Sequence, residues 1–263
     1  MILRDKTALI TGASGGIGRA TASALAAAGS RLVLTALEPK DLDRITRELT
    51  DCGAKVTSFA ANLLDEEDRK ALLDWTRNQA PLDILVNNAG IGHFAPFSAS
   101  KWEDIERVFT LVASVPTRLI HALLPVLLTR PEAAIVNVSS GTYRIPYSGL
   151  AVYAASKAYL SSLSQTLATE LDDTAVRVLC LHPGFTATGF FTTAGMDTRR
   201  IPGWAISSPE RVAKRIVRML EKNDPWAYSD FATPIELVLA TAIPHRLRPR
   251  VFRELFWDFP ATL

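Results

Sequence analysis

"TALITGASGGIG", residues 7–18, runs from a short apolar, β-branched stretch through a glycine-rich turn into residues that open a helix. Glycine lets the backbone bend with positive φ and lets a ligand come close, while the helix that follows turns its free N–H groups toward an anion. A diphosphate meets that description if the turn lies at the first strand-to-helix crossing of a βαβ chain. The reading of the fold therefore depends on what surrounds this turn.

The same alternation continues through the 263 residues. Apolar runs at 7–11, 31–36, 55–61, 83–90, 133–140 and 176–184 read as strands covered on both faces of a parallel sheet. Amphipathic stretches at 18–28, 42–51, 66–78, 102–128 and 153–172 read as the helices between them. This order predicts an α/β fold in one domain, 1–263: a doubly wound, Rossmann-type parallel sheet of about seven strands flanked by helices. The periodicity lapses after Pro183-Gly184, so residues 185–208 read as a substrate lid loop. Ser208-Pro209 then opens a further helix, and residues 225–263 read as a C-terminal extension.

The 29 Lys+Arg against 27 Asp+Glu leave a net charge of +2, which argues against a surface that tracks nucleic acid and points to small molecules or protein partners. Cys52 and Cys180 lie far apart without metal-ligand spacing, so no metal site is expected and both read as reduced thiols of a cytoplasmic protein. Charges come too early at the N-terminus for a signal peptide, and no run reaches the roughly 20 apolar residues of a membrane span.

Tyr153 and Lys157 stand one helical turn apart in "YAASK". A phenol, with a pKa of about 10, gives a proton to a developing alkoxide readily but accepts one poorly at neutral pH. A cation beside it favours the phenolate, and a shift of about three units corresponds to roughly 4 kcal/mol. Lys157 is thus expected to lower the Tyr153 phenol. Tyr143 and Tyr147 lack a lysine four residues on.

Four motifs occur in one order between Lys6 and Asn223: T-G-x-x-x-G-x-G with Gly12, Gly16 and Gly18; Asn87-Asn88-Ala89-Gly90; Tyr153-x-x-x-Lys157; and Pro183-Gly184 followed by Thr188. In that combination the chain resembles the short-chain dehydrogenase/reductase superfamily. The resemblance implies an NAD(P)-dependent oxidoreductase that moves a hydride between nicotinamide and a secondary alcohol or ketone. It implies catalysis by Ser140, Tyr153 and Lys157, because the family's serine lies thirteen positions before the tyrosine; Ser139 is then structural. The superfamily's usual asparagine in the fourth helix falls on Val112, so the helix kink there is expected to lose side-chain support. Pro116 offers another cause for a free carbonyl, since it cannot donate to residue 112.

The resemblance also distributes the cofactor site. Gly12, Ser14, Gly16, Ile17 and Gly18 would form the phosphate turn, and Ala36, Leu37, Asn62 and Leu63 the adenosine end. Asn88, Ala89 and Gly90 would pass beneath the ribose, and Pro183, Gly184, Thr186 and Thr188 would reach the nicotinamide, alongside Tyr153 and Lys157. Ala36 stands where an acid marks NAD, and Leu37 where an arginine marks NADP. Lys40 and Arg44 suit a 2′-phosphate and Glu38 a ribose diol, with the missing carboxylate at 36 tilting the choice to NADP. Asp83 reads as a structural partner of a strand start.

For the substrate end, His93, Phe94, Tyr143, Tyr147, Phe185, Phe190 and Trp204, with Ile145 and Phe191, read as an aromatic rim for an apolar substrate. The arginine-rich extension suits either a lid contact, which is favoured, or a membrane surface. The resemblance implies a homodimer or homotetramer through the 102–128 and 153–172 helices. Two further functions remain open: a dinucleotide sensor with little turnover, and a membrane-associated lipid or acyl ketone reductase.

Overall fold

Leu9 and Ile10 are adjacent on the first strand and both wholly buried, yet they belong to different apolar layers. That alternation, repeated across the strands, requires helices on both faces of the sheet. The computed structural model describes residues 1–79, 81–145, 147–197, 201–244, 246–248 and 250–252.

The strands are β1 (Thr7–Thr11), β2 (Arg31–Ala36), β3 (Val56–Ala60), β4 (Ile84–Asn87), β5 (Ala133–Val138), β6 (Val176–His182) and β7 (Trp226–Tyr228). They form one sheet in the order β3-β2-β1-β4-β5-β6-β7, with every pairing parallel. α1 (Gly16–Ala27), α2 (Pro39–Asp51) and α8 (Pro209–Lys222) cover one face, where Leu25, Leu42 and Ile216 meet Ile10, Leu34 and Val86. α3 (Glu66–Arg77), α5 (Val115–Leu128) and α6 (Ala151–Glu170) cover the other, where Leu72, Leu119 and Leu123 meet Leu9, Leu85 and Ile135. Two shorter helices, α4 (Trp102–Phe109) and α7 (Phe190–Ala194), and a final α9 (Ala232–Ala242) complete the chain.

The seventh strand was not among the apolar runs in the sequence. β7 has three residues and lies within the segment read as an extension, too short to display a period. The 102–128 stretch is continuous but not uniformly α-helical: Thr110–Ser114 forms a π turn, with the Val115 N–H reaching the Thr110 carbonyl. Pro116 has no N–H to give to either Leu111 or Val112, which accounts for the wider turn at this point. This helix corrects the expectation that no segment has the length and hydropathy of a membrane span. Val115, Leu119, Leu123 and Leu127 nevertheless face the sheet.

Polar contacts position the rest. Asp83, buried, accepts from Thr7 N at 2.9 Å and Arg130 Nε at 2.9 Å, and so ties the starts of β1 and β4 together as expected. Asn87 Nδ2 donates to Asn137 Oδ1 and Asn137 Nδ2 to Ser164 Oγ, both at 2.8 Å, fixing α6 against β4 and β5. The two ends of the 185–208 loop are joined, Ser207 N to Phe185 O at 2.7 Å and Ala187 N to Ser207 O at 2.9 Å.

Candidate active site

The sheet order reverses between β1 and β4, and a crevice opens there beyond the carboxyl ends of the strands. Thr11 Oγ1 accepts from the N–H groups of Asn88 and Ala89, each at 3.0 Å, and Asn88 Nδ2 donates to Thr11 O at 2.9 Å. These bonds lock the glycine turn to the end of β4. Gly18 is part of the same junction: a Cβ on it would collide with the Gly12 carbonyl and lie 2.6 Å from Asn88 Nδ2. Gly16, at φ +43°, would meet Thr188 Cγ2 at 2.7 Å.

A cleft of about 450 Å³ runs from this turn to the ends of β5 and β6. Gly12, Ser14, Gly16 and Ile17 line its first part, and Ala36, Leu37, Asn62 and Leu63 its adenosine-side branch. Asn88, Ala89 and Gly90 form the middle. Ser140, Tyr153, Lys157, Pro183, Gly184, Thr186 and Thr188 close the far end. Gly18 is the exception among the expected cofactor residues: it permits the close approach of helix and strand from behind the wall.

The first turn of α1 has no side-chain cap and no acidic residue, and the space beside Gly15 is open. Uncompensated N–H groups and the positive end of the helix dipole fit a diphosphate. At the adenosine branch Asn62 Oδ1 accepts from Leu64 N at 3.1 Å, which leaves its second lone pair for a ligand amino group. Arg44 pairs with Asp41 at 2.9 Å and Arg19 with Glu48 at 2.6 Å, all four side chains exposed.

Ser140 follows β5 and accepts from Thr142 N at 3.2 Å and Thr142 Oγ1 at 3.0 Å, and it lines the same end of the cleft as Tyr153. Lys157 is buried one turn further along α6; its Nζ donates to Val138 O at 2.6 Å and lies 5.6 Å from the centre of the Tyr153 ring. Burial pushes the Tyr153 phenol above its usual range, opposed by the Ser140 hydroxyl. Desolvation beside Phe190, whose ring is 5.1 Å away, outweighs what lowers the phenol. Lys157 itself is pushed down to about 8 by burial.

Val112 is wholly buried at the centre of the π turn, close enough to Gly90 that a Cβ there would lie 3.8 Å from it and 3.9 Å from Lys157 Nζ. The wide turn therefore forms without an asparagine side chain. Ser139 is structural: its Oγ donates to the Lys157 carbonyl at 3.0 Å and meets Ser161 Oγ at 2.7 Å.

Behind Lys157 lies a group the sequence did not single out. His182 is wholly buried, with Nδ1 3.2 Å from Ala227 O and Nε2 3.0 Å from Ser161 Oγ and 3.5 Å from Cys180 Sγ. A carbonyl only accepts, so Nδ1 carries the proton and Nε2 accepts. Burial, reinforced by the Lys157 charge, pushes the imidazole down to about 4. Its one sequence signal is spacing: Cys180 and His182 are two polar residues at strand period in the otherwise apolar second half of the strand before Pro183.

Tyr147, Phe185 and Phe190 line the far end of the cleft with Ile145 and Phe191, but four other expected rim residues do not. His93 Nε2 bonds Ser100 Oγ at 3.1 Å. Phe94 packs into the apolar cluster around Ile145 and Leu150. Tyr143 turns away, its hydroxyl 3.0 Å from that of Tyr228 and its ring 4.4 Å from His182. Trp204 is exposed on a single 3₁₀ turn. A residue not foreseen, Thr233 on α9, lines the cleft instead.

Sequence and structure comparisons agree with this geometry. The family model described as short chain dehydrogenase matches residues 6–198. A short chain dehydrogenase of Pseudocercospora fijiensis is 33% identical over 186 residues, 69% of this chain; the chain spans 60% of that relative's length. A short-chain dehydrogenase from Sphingobium yanoikuyae in complex with NADPH superposes with a TM-score of 0.80 at 28% identity, covering 98% of both chains. A 3-ketoacyl-(acyl-carrier-protein) reductase from Brucella melitensis complexed with NADH gives 0.79 at 28% identity, covering 86% of this chain and 96% of that one.

Proposed function

The chain belongs to the short chain dehydrogenase family, and from that premise we propose that it is an NAD(P)-dependent oxidoreductase interconverting a secondary alcohol and a ketone. The observation that carries the reading is the convergence of Ser140, Tyr153 and Lys157 at one end of the cleft whose other end is the glycine turn. A bound nicotinamide dinucleotide supplies or takes up the hydride. The open first turn of α1 would hold its diphosphate, Asn62 its adenine, residues 88–90 its ribose and Thr188 its carboxamide.

The chain's own residues manage the oxygen and its proton. The Ser140 hydroxyl holds the substrate oxygen, and Tyr153, kept protonated by burial, delivers a proton to that oxygen during reduction. Lys157, anchored on Val138 O, contributes positive charge below a pKa of about 8 and favours the phenolate left behind. Phe190 and Phe185 exclude water from this end.

Tyr147, Phe185, Phe190 and Phe191 support an apolar substrate. The absence of a carboxylate at Ala36, with Lys40 and Arg44 nearby in sequence, supports NADP over NAD. Exposed Trp102, Phe109, Leu128 and Tyr159 on α4, α5 and α6 support a homodimer through those helices.

The test is to titrate NADPH and NADH in parallel into wild type and Tyr153→Phe. The variant is expected to bind cofactor nearly as tightly as wild type and to lose about 10²–10⁴-fold in turnover on a ketone panel. Undiminished turnover by the variant would falsify the acid/base role.

A further inference from the structure

α9 has two unlike faces. Thr233, Leu237 and Ala240 are buried, Thr233 against the cleft and the other two in the cluster that holds Ile145, Tyr147 and Leu150. On the opposite side Phe231 is 65% exposed, Ile235 54%, Val238 66% and Leu239 64%. Their spacing, i, i+4, i+7 and i+8, aligns them in one stripe along the helix. Isolated exposed apolar residues are ordinary on a protein surface, but a contiguous stripe marks a contact with something else.

Arginine dominates the charge that follows the stripe, with Arg246, Arg248, Arg250 and Arg253 against Glu254 and Asp258. Arg246, Arg248 and Arg250 come directly after α9, and residues 244–253 contain no aspartate or glutamate. Arg248 donates from Nε to Ile243 O at 2.9 Å and from Nη2 to Thr241 O at 2.8 Å, which fixes its guanidinium at the end of the helix. Leu247, between Arg246 and Arg248, is also exposed. Apolar side chains on one face with positive charge at its end, Arg246 exposed among it, match the interface of a bilayer with anionic headgroups.

We infer that the outer face of α9, Phe231 to Leu239, with the arginines that follow it, docks on the surface of an anionic lipid bilayer. Docking sets the outer wall of the cleft against the lipid, since the inner face of the same helix lines that wall. The inference stands independently of the reaction assigned above.

The test is co-sedimentation of the full chain with vesicles of phosphatidylcholine alone or mixed equally with phosphatidylserine, alongside gel filtration. Wild type is expected to pellet with the mixed vesicles and to release at high salt. The double variant V238S/L239S is expected to bind about tenfold more weakly through lost apolar burial, and Arg246→Glu to lose the preference for phosphatidylserine. Cofactor affinity in both variants should match wild type, which separates lost docking from lost folding. The inference is overturned if wild type stays in the supernatant with mixed vesicles, or if the variants pellet as wild type does. It is equally overturned if V238S/L239S converts a dimer to a monomer while vesicle binding is unchanged, because a second copy would then cover the stripe.

Discussion

The two ends of the cleft are made from different parts of the chain. At the glycine turn the wall is largely backbone: free N–H groups of α1, the close contact of Gly18 with Gly12 O, and Thr11 and Asn88 bonding main-chain atoms. At the catalytic end it is side chains drawn from β5, α6, the loop after β6, α7 and α9. Where backbone packs on backbone, as at Gly18, the turn tolerates no added atoms, yet it is indifferent to most neighbouring side chains. A side-chain wall can change its lining residue by residue while the scaffold stays the same, which is how one fold serves different substrates.

This contrast is sharpened first at the backbone end. Gly18→Val places a branched side chain against Gly12 O and Asn88 Nδ2. It is expected to cost about 3 kcal/mol or more of stability and to abolish cofactor binding, read by thermal unfolding and cofactor titration. Retained tight cofactor binding would show that the turn is not held by close backbone contact.

The side-chain end should respond to pH through His182. Its imidazole titrates near 4 in the folded chain against 6.5 for an ordinary histidine, so the unfolded chain binds more protons between those values. Stability contributed by the neutral ring is therefore fully present above pH 6.5 and is lost as pH falls toward 4, about 3 kcal/mol in all by linkage. His182→Phe keeps a ring among Tyr143, Trp226 and Tyr228 but removes both nitrogens. Denaturant midpoints measured from pH 7 to pH 4 should fall less steeply in the variant; an equal slope would place the acid sensitivity elsewhere.

The smallest expected effect is on the lining itself. Phe185→Ala should raise KM for a bulky apolar ketone about tenfold while leaving cofactor affinity within about twofold, as expected for loss of one aromatic contact in a pocket. A matching loss in cofactor affinity would mean that the two ends are not separable.

Motifs that act within a few residues were legible before the structure. The glycine turn, Tyr153 with Lys157 on one helix face, and the six longer strands all depend on spacing along the chain. Ser140 was reached through the family resemblance, and the structure brings it to the same end of the cleft as Tyr153. The aromatic rim was only partly legible, because nothing local distinguishes Phe185, which faces the cleft, from Tyr143, which turns to Tyr228. Spacing likewise indicated that Lys157 neighbours Tyr153 but not that burial is the largest influence on the phenol.

The sequence by itself determined the alternation of strands and helices, the anion-binding turn and the tyrosine–lysine pair, since each follows from backbone geometry and side-chain period over at most a few turns. The tertiary structure alone decided that His182 sits behind Lys157, that Thr233 joins the cleft wall and that α9 presents an apolar face outward. Those outcomes depend on strand order and on which distant segments meet beyond the sheet, and no local period encodes either.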